Sequence, residues 1–94
     1  MFGILVAAYI GSVGGSGADL FDFTVCIPRW LAANIALPKG FAFLRHYLVV
    51  EQWDKALIER AIGDLCAHTE GADWNEVALK LSRYGQWEFE DYVE

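Results

Sequence analysis

His46 is the residue whose neighbours come nearest to suggesting acid–base work. Arg45 precedes it and Glu51 follows five positions on, a set from which a hydrolase could draw a base and a partner charge. Alternation argues against the grouping, because an extended segment projects Arg45 and Glu51 to the face opposite His46. His68 stands near the expected end of a helix, where its cationic form suits the helix dipole. Neither histidine forms an i, i+4 pair or lies at metal-ligand spacing from Cys26 or Cys66, so no metal site and no cofactor are expected. The two cysteines sit in apolar-periodic segments without C-x-x-C spacing and read as buried free thiols. Ser12, Ser16 and Ser82 have neither a G-x-S-x-G elbow nor an adjacent base. "GGSG" at 14–17 lacks the Lys-Ser/Thr of a phosphate loop and leads into a strand, which makes it a hairpin connection.

What remains is a run of carboxylates among aromatics. From Tyr84 to Glu94 the chain carries Glu88, Glu90, Asp91 and Glu94 with no Lys or Arg, interleaved with Trp87, Phe89 and Tyr92. Extended, the run would place Glu88, Glu90 and Tyr92 on one side and Trp87, Phe89, Asp91 and Val93 on the other. A glycosidase-type acid pair needs a set separation and a sugar cleft, which this end does not itself supply. Binding is the better functional reading, with rings as anchors and carboxylates steering a basic partner. The competing reading packs the rings on the fold and leaves the acids as a solvated face. Glu88, Glu90, Asp91 and Glu94 are the candidate partner contacts.

Charge distribution sharpens that expectation. The net charge is −6; residues 51–94 hold eleven acids against four bases, whereas residues 1–50 hold two against three. Such a chain does not suit phosphate backbones, which are held by clustered Lys and Arg, and no nucleic acid is expected. A basic protein partner is.

The elements that must position these residues follow from periodicity. Ninety-four residues make one domain, 1–94, whose apolar side chains are needed for the core rather than for a deep pocket. Phe2 to Ile10 is an apolar run too short to span a membrane and without a basic leader, and it reads as a strand covered on both faces of a cytoplasmic protein. "LFDFTVCI" alternates, with Phe21, Phe23, Val25 and Ile27 facing the core. Pro28 opens a short helix that Pro38 and Gly40 close. "FAFLRHYLVVEQW" predicts a third strand over 41–53. Asp54 caps a helix whose stripe is Leu57, Ile58, Ala61, Ile62, Leu65 and Cys66, with Gly71 expected as its left-handed cap. Asp73 and Glu76 resemble a capping box before a stripe of Trp74, Val77, Ala78 and Leu81, which Gly85 should end. The fold class is α+β: a small antiparallel sheet of three to four strands, with two to three helices packed on one side.

Three stretches, "LFDFTVCIPRWLA", "LRHYLVVEQWD" and "ADWNEVALKLSRYGQWEFEDY", in this order and at these spacings, resemble the immunity protein eight family of bacterial polymorphic toxin systems. The resemblance covers nearly the whole chain and is carried most specifically by Trp87 to Tyr92 with Trp74 and Leu81-Ser82-Arg83. It implies a cytoplasmic antidote, encoded beside a toxin, that binds the toxin's effector domain and blocks it without catalysis. A nuclease with a basic substrate groove is a toxin that this acidic chain would suit. By the same resemblance a further N-terminal stretch would precede the first strand, and Thr would stand where Ile27 precedes Pro28. If the closing run recurs among relatives facing different toxins, its rings serve the fold more than the choice of partner. The alternatives are a non-catalytic interaction subunit of another bacterial complex and, third, a hydrolase using His46 with Arg45 or Glu51.

Overall fold

The computed structural model describes residues 2–12, 14–15 and 17–90. Along the chain come β1 (Gly3–Ile10), β2 (Asp19–Cys26), α1 (Pro28–Asn34), β3 (Tyr47–Val49), α2 (Lys55–Ala67), α3 (Trp74–Leu81) and β4 (Gln86–Trp87). Among the described residues four strands form one mixed sheet, giving with the helices the α+β arrangement read from the sequence.

β2 is the centre of the sheet. β1 runs antiparallel to it over its full length, from Gly3 opposite Cys26 to Ile10 opposite Asp19. The other edge of β2 is divided: β4 pairs antiparallel with Phe21 and Asp22, and β3 pairs parallel with Thr24 to Cys26. The parallel pair corrects the wholly antiparallel sheet expected. Two parallel neighbours need a crossover, and residues 27–46, carrying α1, supply it. For the same reason the strand expected over 41–53 contracts to three residues. Phe41 and Phe43 belong to the crossover, ring against ring at 6.1 Å, with Phe43 95% exposed.

One face of the sheet is packed. Phe21, Phe23 and Val25 are buried. Val6 and Ala8, opposite Phe23 and Phe21, join them from β1, with Ile58 and Ile62 from α2 and Ala78 and Leu81 from α3. Full burial of each larger side chain contributes about 1.5–3 kcal/mol. The opposite face stays largely open, which corrects the expectation that the first strand is covered on both sides: Leu5 is 65% and Tyr9 76% exposed. Trp30 reaches that face at its end, its ring lying where a Cβ on Gly3 would collide. The crossover therefore passes over the face that α2 and α3 leave free. A smallest dimension of 18 Å fits one sheet with one helix layer.

Local chemistry explains the helix ends. The carboxylate of Asp54 accepts from Leu57 N at 3.1 Å, and that of Asp73 from Glu76 N at 2.8 Å. Glu76 reaches back to Ala72 N at 3.0 Å, one residue beyond the usual capping box. Ile27, at the head of α1, makes no side-chain cap bond. Gly71 and Gly85 are not left-handed caps: α2 closes at His68 with φ −100° and α3 at Ser82 with φ −63°. Gly85 is required for space, since a Cβ there would lie 2.6 Å from the Phe23 ring. Cys26 and Cys66 are free, and burial pushes both thiols up from their ordinary value. Among the described residues no helix is long and apolar enough to cross a membrane, and no three His, Cys, Asp or Glu residues gather to hold a metal.

Candidate partner-binding surface

β4 has only two residues, too few for backbone pairing alone to hold the segment that follows α3. Side chains complete the attachment. At the start of β2 the Asp19 carboxylate accepts the indole N–H of Trp74 at 2.8 Å and that of Trp87 at 3.0 Å through one oxygen. Both bonds are charge-assisted and partly shielded from water. Trp87 stacks on Phe21 with centroids 6.3 Å apart and planes 11° from parallel, while Trp74 meets the same ring edge-on. The sequence reading gave Asp19 no role. Its signal was a carboxylate at the mouth of an alternating apolar strand, in a chain whose packed tryptophans need acceptors.

Two of the four candidate carboxylates are tied to the fold. Glu88 N donates to Leu20 O at 3.0 Å, and the Glu88 carboxylate accepts from Leu20 N, so one residue takes the place of a missing ladder partner. Glu90 places Oε1 3.1 Å from His46 Nε2, and that nitrogen also lies 2.8 Å from the Ser82 carbonyl oxygen. A carbonyl only accepts, so Nε2 carries the hydrogen. Arg45 donates to the same carbonyl at 2.9 Å. Asp91 and Glu94, with Tyr92, lie outside the described residues.

Alternation had separated Arg45 from His46, yet both meet at Ser82. The reason is backbone geometry: His46 has φ 70°, the left-handed region rarely occupied by a non-glycine residue. The extended run begins only at Tyr47, and the two side chains before it turn the same way. Glu90 rather than Glu51 is the carboxylate at His46. Ser82, His46 and Glu90 are not wired as nucleophile, base and orienting acid, because the Ser82 hydroxyl donates to Leu79 O at 2.6 Å and His46 meets Ser82 through its backbone. Their bonds fasten the crossover, the end of α3 and the 87–90 segment to one another. His68 ends α2 in an equally local way, its Nδ1 2.7 Å from Asp64 O.

This fastening leaves an open groove of about 630 Å³ between α3 and the closing segment. Asn75 and Leu79 form one wall, Phe89 and Glu90 the other, and Arg45 lies at the base of the Ser82 cluster. Phe89 stands edge-on to Trp87 at 5.7 Å and is 42% exposed, whereas Trp87 is buried. The aromatic-acidic run thus divides between residues turned into the fold and residues on its rim, with Glu88 exposed at the sheet edge. Its chemistry is that of a surface which can receive cationic and apolar groups together.

Comparisons with curated proteins and with solved structures give no match. The model of the family described as Immunity protein 8 matches residues 1–92. The stretches that carry the resemblance include the tryptophans around Asp19 and the segment that closes the groove. With the match running across every element of the fold, the chain belongs to the Immunity protein 8 family.

Proposed function

We propose that this chain is a non-catalytic antidote that binds the effector domain of a cognate bacterial toxin, one molecule to one, in the cytoplasm of the cell that makes both. Membership of an immunity protein family across residues 1–92 carries this reading. The toxin we assign is a basic effector such as a nuclease. The support is electrostatic: residues 51–94 hold eleven acids against four bases, and a negative surface steers a basic groove into rapid, salt-sensitive association. Glu88, Glu90, Asp91 and Glu94 contribute to the contact, beside the half-exposed ring of Phe89.

Growth rescue tests the function. The effector domain encoded beside this chain is expressed in a susceptible host with and without it. Survival that depends on the matched pair is the expected result, and death with both proteins soluble overturns the reading. The acidic end has its own test, in which Glu88, Glu90 and Asp91 are replaced together by their amides, which keep an acceptor oxygen at each site. Association with the toxin should slow and lose much of its salt dependence. An unchanged on-rate in the folded variant removes the acidic end from the interface.

A further inference from the structure

The long free edge of the sheet is β1. Its backbone groups can be assigned by parity. Ile27 N donates to Phe2 O, so Phe2 turns its polar groups toward β2; alternation then turns Ile4, Val6, Ala8 and Ile10 the same way. The far side of β2 agrees, because Thr24 N meets His46 O, Cys26 O meets Val50 N, and Leu20 pairs with Glu88, all even-numbered residues of β2 facing away from β1. Gly3, Leu5, Ala7 and Tyr9 therefore direct their N–H and C=O groups outward, and among the described residues no strand pairs with them. Natural edge strands are guarded by charge, proline or a bulge. β1 has no charged residue and no proline, and its register with β2 is unbroken from Gly3 to Ile10.

We infer that β1 pairs antiparallel with β1 of a second copy of this chain, joining two sheets into one across a two-fold axis. This rests on the edge and not on the toxin reading. Two conditions select the register: outward-facing residues must oppose one another, and the packed faces must stay on one side. Placing Val6 on the axis meets both and leaves none of the outward residues unpaired, with Gly3 opposite Tyr9 of the second copy and Leu5 opposite its Ala7. The same register brings the 76% exposed Tyr9 ring over the second copy's Gly3, beside the Trp30 ring already resting there, so an aromatic covers the position where the strand has no side chain.

Charge selects the occupant. Each copy carries −6, and repulsion between copies is weakest where the contact itself is neutral. In the hairpin the only acids are Asp19 and Asp22, both on β2. A basic toxin finds nothing on β1 to steer it, whereas a second β1 supplies matching donors and acceptors by symmetry.

The test is sedimentation equilibrium of the full chain, with amide hydrogen exchange read residue by residue. A mass twice 10.5 kDa is expected, with the amides of Leu5, Ala7 and Tyr9 exchanging as slowly as those of Val6 and Ala8. The Ala7→Pro variant removes an outward donor without touching the β1–β2 ladder, and its mass should fall by half while its circular dichroism and its neutralisation of toxin are kept. A monomer at all concentrations overturns the inference, as does a dimer in which the odd-numbered amides of β1 exchange freely. Protection of those amides only when toxin is added also overturns it, and would make the edge a toxin contact. Because the exchange measurement is made on the unmodified chain, it decides the matter even if Ala7→Pro does not fold.

Discussion

The two edges of β2 are held in opposite ways. Along one, β1 pairs over eight residues and the strand itself carries no charged side chain. Along the other, β3 and β4 contribute three and two residues, and the attachment depends on Asp19, Arg45, His46, Glu88 and Glu90. Where backbone pairing is long, side chains are left over for other contacts. Where it is short, polar side chains that look available for a partner are drawn into the fold. The acidic-aromatic end, the most conspicuous feature of the sequence, lies on the edge that needs it.

If that contrast is right, losses at the short edge should be large and graded by what each group fastens. Trp87→Ala removes a buried ring stacked on Phe21 and should cost about 3–5 kcal/mol in urea unfolding. Asp19→Ala orphans two partly buried indole N–H groups, for about 2–4 kcal/mol. Asp19→Asn keeps an acceptor oxygen and should lose less; equal losses would mean that the charge, not the acceptor, matters. Gly85→Ala drives a methyl group toward Phe23, and a cost of about 1–3 kcal/mol is expected from thermal melts. No loss there would show that the turn after α3 shifts freely.

The smallest effect concerns the thiols. Burial holds Cys26 and Cys66 neutral to higher pH than the ordinary 9.0. Their contribution is therefore fully present below that value and is lost as pH rises through the raised folded one. Denaturation of the parent between about pH 8 and 11 should show this loss, spanning the cysteine range, and a Cys26→Ala, Cys66→Ala pair should lose less stability over the same interval. Parallel curves for the two proteins would rule the thiols out as its source.

The helices were the most readable elements, because α2 and α3 combine apolar stripes with Asp54 and Asp73 caps, all within a few residues of sequence. β2 was equally plain from Phe21, Phe23 and Val25. β3 was readable as a strand, but not in its length or direction. Both depend on a crossover whose exposed Phe41 and Phe43 mimic strand residues, and on the left-handed His46, which no local pattern announces. The candidate site was the least readable part. Glu88 meets Leu20 across 68 positions and Glu90 meets His46 across 44, so the pairings have no signature in neighbouring residues. Gly85 was expected to end α3 as a left-handed cap, but the helix closes at Ser82 and the glycine is required by the Phe23 ring instead.

The antidote reading is tested most directly by titrating the purified effector domain of the proposed cognate toxin with this chain while its toxic activity is measured. Activity should fall in proportion to added protein and vanish at one equivalent, with binding that weakens as salt is raised. Full effector activity in the presence of excess folded chain would contradict it.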